Sequence, residues 1–105
     1  MYAIAIIRYR RALDDILPFV DAHRAYMRQL HAEGTLLASG PLDPRSGGAL
    51  LLRVPDGDAL AALDRVRDGD PYVQGGVAQY ELLPWQPNVG AESLERLGMR
   101  VEGTG

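Results

Sequence analysis

Five side chains of this sequence have the chemistry to move a proton or hold a ligand at positions a fold could gather: His23, Asp70, Ser39, Tyr72 and Tyr9. His23 is the most informative. It falls between Val20 and Met27 on what reads as the apolar stripe of a helix. An imidazole there needs a hydrogen-bond partner, because an unpaired buried polar group costs free energy. Two readings stand for it: a general acid or base, suited to a group that titrates near about 6.5 when free, or a core histidine satisfied by a backbone carbonyl or a water. Asp70 opens the run Asp70-Pro71-Tyr72. It is either the partner of an imidazole, fixing its tautomer and raising its basicity, or a turn residue that accepts from nearby backbone N–H groups. Tyr9 and Tyr72 either line a pocket or simply pack. Ser39 either donates to a ligand or, beside Gly40-Pro41, permits a close strand approach.

Composition removes several classes of chemistry. There is no cysteine, so disulfides, thiolate nucleophiles and cysteine-ligated metal are excluded. All eleven basic residues are arginine, so no Schiff-base lysine is available. Net charge is −3 and the arginines are scattered, which does not make the concentrated basic surface that nucleic-acid binding needs. The dense group Arg8, Arg10 and Arg11 reads as a solvated strand end. His31 reads as a surface residue at a helix C-terminus, where positive charge is favourable. Two histidines without cysteine form no recognisable metal site, and no HExxH, P-loop, GxGxxG or GxSxG motif occurs. No cofactor is expected. The apolar stretches are too short to cross a bilayer, and Met1 to Ile7 runs into a strand without a signal-peptide pattern. The expected setting is the cytoplasm.

The elements that would position these residues are legible in outline. Tyr2 to Tyr9 predicts a strand, with Ile4 and Ile6 on one face and Ala3, Ala5 and Ile7 on the other. Asp14 and Asp15 are candidate N-caps of a helix running to about Glu33, with Ile16, Val20, His23, Met27 and Leu30 inward and Gly34 at the left-handed C′ position. Thr35 to Pro41 predicts the second strand, Asp43 to Gly48 a hairpin loop, and Ala49 to Val54 the third strand. Pro55 and Asp56 open a second helix with Leu60, Leu63 and Val66 inward. Gly69 to Gly76 reads as a loop, and Val77 to Trp85 as the fourth strand. Residues 1–86 form the domain. Residues 87–105 are a tail, partly mobile, in which Glu92 to Leu97 makes a helical turn or two.

The order β-α-β-β-α-β predicts an α+β, ferredoxin-like sandwich: a four-stranded antiparallel sheet, strand order 4-1-3-2, with two helices on one face. The first strand is apolar on both faces, so the helix-free face needs a cover, and a second copy of the chain is the economical one. A homodimer is therefore expected, with no nucleic-acid or membrane partner.

Three segments together resemble the YciI-like (YCII-related) family: His23-x-x-Tyr26 with Leu30 and Gly34 behind it, Ser39-Gly40-Pro41 at a strand end, and Asp70-Pro71-Tyr72 before a last strand closing on Pro84-Trp85. The resemblance implies a dimeric α+β barrel. It also implies that His23 and Asp70 stand at the positions of a candidate catalytic pair; Ser39, Tyr72 and Tyr9 are expected around a substrate from their own chemistry. Some relatives are linked to the catabolism of aromatic compounds, and the fold class includes lactone isomerases and small monooxygenases.

Topology agrees with such a pairing. The first helix starts at the sheet edge where the first strand ends, and the second helix delivers Asp70 to that same edge. The second strand ends there too, at Ser39 to Pro41. Two functions remain in view. One is a small enzyme using His23 and Asp70 for isomerisation or elimination on a small organic molecule. The other is a non-catalytic small-molecule-binding or accessory domain.

Overall fold

The computed structural model describes the backbone of residues 1–104 and the side chains of residues 1–98. Its sheet has four antiparallel strands: β1 (Tyr2–Tyr9), β2 (Leu36–Pro41), β3 (Gly47–Arg53) and β4 (Ala78–Trp85). They lie in the order β2-β3-β1-β4, the expected order read from the other edge. The doubly apolar β1 is central, pairing Ala5 with Leu50 on one side and Leu82 on the other. Alternation puts Ala3, Ala5 and Ile7 against the helices, all buried, with Leu50 and Leu52 beside them. Ile4 and Ile6 face the other way with Leu51 and Leu83.

The first helical segment departs from a single helix capped by Asp14 or Asp15. It is α1 (Leu13–Ile16), a 3-10 turn at Leu17–Phe19 and α2 (Val20–Ala32), and its N-cap is Ala12. Asp14 and Asp15 sit inside the first turn, where a carboxylate still favours the helix N-terminus. Pro18 lacks an N–H and pre-sets φ, and the segment tightens to 3-10 geometry there. The far end follows the sequence. Gly34 adopts φ 84°, its N–H bonds to His31 O and that of Thr35 to Leu30 O, the Schellman arrangement only a near-strainless left-handed residue closes.

The second helix, α3 (Ala59–Asp68), follows a 3-10 turn at Asp56–Asp58. Leu63 and Val66 are buried as expected, but Leu60 is 66% exposed, and Ala59 takes the inward place. The inward residues Ala59, Leu63 and Val66 follow i, i+4, i+7 spacing, which leaves Leu60 on the outer flank of the first turn. Gly69 to Gly76 is not an open loop. Residues Pro71–Gln74 form one helical turn, α4, with Asp70 as N-cap and Pro71 at the first helical position, an arrangement both residues favour.

The tail carries a longer helix than Glu92 to Leu97: α5 spans Ala91–Thr104. It meets the sheet through Glu95, which accepts from Tyr2 Oη at 2.6 Å and pairs with Arg53 at 3.3 Å. The expected mobility of the last residues falls in part on Gly105, outside the described residues. Among the described residues no helix is long and apolar enough to cross a membrane.

Candidate active site

The ends of β1 and β2, the start of β3, α2 and the α4 turn meet at one edge of the sheet, on its helix-covered face. Between them lies a cleft of about 350 Å³, near the lower end of the range usual for small-molecule sites. His23, Tyr72, Tyr9 and Ser39 all line it. Asp70 lies directly behind His23, with no exposed surface.

Asp70 is the anchor. Its Oδ1 accepts from the Tyr72 backbone N–H at 2.9 Å, which caps α4. Its Oδ2 accepts from the Tyr80 hydroxyl. Both oxygens reach His23 Nδ1, at 3.0 and 2.9 Å. A buried carboxylate is tolerated only when hydrogen-bonded, and this one has three donors. The cap and the imidazole partner, alternatives at the level of sequence, are the same side chain. With Tyr72 N–H and Tyr80 O–H donating, Asp70 serves as acceptor, so Nδ1 carries a hydrogen and Nε2 of a neutral ring bears the lone pair.

His23 projects from the first turn of α2 and its side chain is 15% exposed. Its ring lies on Tyr72, centroids 4.0 Å apart and planes within 10°. Tyr72 in turn meets Tyr9 edge-on at 5.9 Å, and Arg45 Nε donates to Tyr9 Oη at 3.4 Å. Ring orientation is thus fixed from the Nδ1 side and from one face. Among the described residues Nε2 has no partner and no buried side-chain nitrogen or oxygen lacks one, so Nε2 opens to the cleft.

Burial, followed by the Asp70 charge and hydrogen bond, pushes the Tyr80 phenol well above its ordinary range. Tyr72 is raised to about 12, first by burial and then by Tyr9. Tyr26, whose hydroxyl donates to Val66 O at 2.8 Å, is also raised, first by burial and next by Asp70. These phenols remain hydrogen-bond donors over the working pH range.

Ser39 reaches the cleft through an irregularity. Leu36 pairs with Leu52, but Ala38 pairs with Leu51 and Ser39 with Leu50, so one extra residue is inserted at Leu37. Such a bulge reverses the alternation and turns Ser39 to the face shared by Ala5 and Leu50. At the cleft floor Gly47 has no substitute, because a Cβ there would run into the Ile7 carbonyl oxygen. His31 is exposed in the last turn of α2. No group of three side chains suited to a metal ion occurs among the described residues.

Tyr80, Arg24, Arg28 and Arg45 were not singled out by the sequence. Tyr80 had a signal: alternation along β4 puts Ala78, Tyr80 and Leu82 on the helix face, opposite β1 residues Tyr9, Ile7 and Ala5. Arg24 and Arg28 had the i, i+4 spacing that places both on one flank of α2.

Fold and cleft together define a ferredoxin-like α+β protein with an imidazole–carboxylate pair at one sheet edge. The chain belongs to the family of the YCII-related domain, whose model matches residues 1–86. Among solved structures it is similar to 5-chloro-2-hydroxyhydroquinone dehydrochlorinase (TftG) from Burkholderia phenoliruptrix AC1100 in complex with 2,5-dihydroxybenzoquinone. The TM-score is 0.71 at 17% identity, covering 85% of this chain and 97% of that one. No curated protein sequence matches.

Proposed function

We propose that this chain is a small enzyme in which His23 and Asp70 perform acid/base chemistry, an isomerisation or an elimination, on a small organic molecule of the kind met in aromatic catabolism. The observation that carries this reading is the open Nε2 of His23, facing a cleft of about 350 Å³ while Nδ1 is held by a buried carboxylate. Nε2 takes a proton from an acidic C–H or O–H of the substrate. The imidazolium is stabilised by Asp70, which keeps its charge and the ring's orientation. In an isomerisation the proton returns to a different substrate atom. In an elimination the electron pair expels the leaving group, and the proton passes to solvent. Ser39, Tyr72 and Tyr9 bind and orient. A dehydrochlorination, the activity named for the similar structure, is an elimination and supports that branch. Neither branch calls for a redox partner.

We also propose that two copies pair through the sheet faces that carry Ile4 and Leu83, and that the cytoplasm is the working compartment, which a cysteine-free chain suits. The test of activity is halide release and ultraviolet spectral change across halogenated and hydroxylated hydroquinones. Turnover should fall by about 100-fold or more in His23→Asn, with the fold intact by circular dichroism. Turnover unchanged in that variant ends the proposal. Binding without turnover on any member favours the accessory, ligand-binding role.

A further inference from the structure

The protein carries net charge −3, yet its cleft is lined by Arg24, Arg28 and Arg45 and, among the described residues, by no aspartate or glutamate. Arg24 and Arg28 stand one turn apart on α2, and neither has an ion-pair or hydrogen-bond partner among the described residues. Arg45 approaches from the β2–β3 hairpin and is held by Tyr9 Oη. Two different elements thus contribute arginines to the lining of one cleft. Asp70, the carboxylate behind His23, is buried and taken up by its three donors. Beneath the arginines the floor is apolar: Ile7, Met27 and Leu50. A cleft with an apolar floor, a cationic rim and a base at one end suits a particular class of molecule.

We infer that the ligand of this cleft is a small organic anion, a one-ring carboxylate or phenolate, whose ring lies on the apolar floor and whose negative oxygen is held by the arginine rim. The inference rests on the cleft being the substrate site. It adds a reason for the rim: a guanidinium already positioned for an anionic oxygen also stabilises the charge that grows when His23 removes a proton. The shared chemistry is an sp² oxyanion, and carboxylate and phenolate are its two sources.

The test is equilibrium binding to the full chain, followed by the His23 ring resonances in NMR. The probes are benzoate and 4-nitrophenolate, at a pH where both are ionised, with benzamide as the neutral isostere of benzoate. At least one anion should bind about tenfold or more tightly than benzamide, and should weaken as salt rises from about 0.1 M to about 1 M. The double substitution Arg24→Gln with Arg28→Gln, or Arg45→Gln, should bring that anion to within about twofold of benzamide. Glutamine keeps helix propensity at the two exposed α2 positions, so the fold stays intact. Benzamide binding as tightly as both anions overturns the inference, as does the absence of binding by either anion at about 10 mM. Discrimination retained in both variants, or anion binding that leaves His23 unmoved, overturns it equally. These outcomes read affinity, not turnover. A cleft that prefers benzamide but still moves His23 leaves the acid/base proposal standing, and loss of that proposal in the His23→Asn assay leaves the anion result standing.

Discussion

Nδ1 of His23 lies 3.0 and 2.9 Å from the two oxygens of Asp70, across 47 residues of sequence, and Asp70 has no exposed surface at all. The carboxylate is itself fixed by being the N-cap of α4 and by the Tyr80 hydroxyl. The pair is therefore held from the Asp70 side. The imidazole adapts to a carboxylate that cannot turn.

Asp70→Asn exploits this. The asparagine oxygen is claimed by Tyr72 N–H, which leaves the amide NH₂ facing His23 Nδ1. An NH₂ donates, so the ring should switch from the Nδ1–H to the Nε2–H tautomer and lose its lone pair toward the cleft. Two-bond ¹⁵N–¹H correlation NMR reads the tautomer directly. Turnover should fall by about 100-fold to 10,000-fold. An unchanged ¹⁵N pattern in the variant would show that Asp70 does not set the tautomer.

Tyr80→Phe removes one of the three donors to a buried carboxylate. The loss should cost about 1–3 kcal/mol, read as a lower urea midpoint with unchanged slope. The tyrosines also set an alkaline limit. Tyr80, Tyr72 and Tyr26 all have raised values in the folded chain, while unfolded tyrosine titrates near about 10. Above that pH the unfolded chain has released phenolic protons that the folded chain keeps. The unfolded state then binds fewer protons, and stability falls as pH rises. The contribution is whole below about pH 10 and is lost as pH climbs through the folded values. Urea midpoints measured against pH should show that decline, and it should be shallower in Tyr80→Phe.

The strands and their order were legible, because period-2 alternation and right-handed connections leave few arrangements, while the meeting of His23 with Asp70 was an expectation raised by the family resemblance together with the topology. What was not legible depends on single-residue shifts. The bulge at Leu37 turns Ser39 into the cleft, and a run such as Thr35-Leu36-Leu37-Ala38-Ser39 gives no sign of which leucine is extra. The reading of Asp70 as a turn residue accepting from backbone N–H groups and its reading as imidazole partner were posed as alternatives, although a carboxylate has lone pairs enough for both. The arginines of the cleft escaped because they come from two elements, and charge scattered along a chain says nothing about charge gathered in space. The helix phase at Leu60 failed for a similar reason, since alanine and leucine compete for the inward place and packing decides.

That phase error yields a paired stability test. Leu63 is 1% exposed and Leu60 66% exposed, on the same helix and three residues apart. Leu63→Ala should cost about 2–5 kcal/mol through lost burial and the cavity left behind. Leu60→Ala should change stability by no more than about 0.5 kcal/mol. Chemical denaturation of both variants decides between phases, and a large loss at Leu60 would mean that this leucine is buried in solution against something, such as a second copy.

Assembly offers the last test. On the sheet face away from α2, whose Tyr2 end meets α5, Ile4 sits between Leu51 and Leu83, with Leu83 at 42% and Trp85 at 41% exposed. A contiguous apolar patch of this kind is unusual on a monomer's surface, and the cleft lies on the opposite face of the sheet, so pairing here leaves it open. In a two-fold dimer each Ile4 would face the partner's sheet, and Ile4→Glu would place two carboxylates in that interface. The charge is tolerable in a lone subunit, where the position is only partly covered, but costly when buried against apolar side chains. Light scattering at micromolar concentration should give a dimer for the parent chain. For Ile4→Glu it should give a folded monomer, with dimerisation weakened by about 100-fold or more. A parent chain that stays monomeric at that concentration removes the dimer proposal, and a variant that remains dimeric moves the interface to another face.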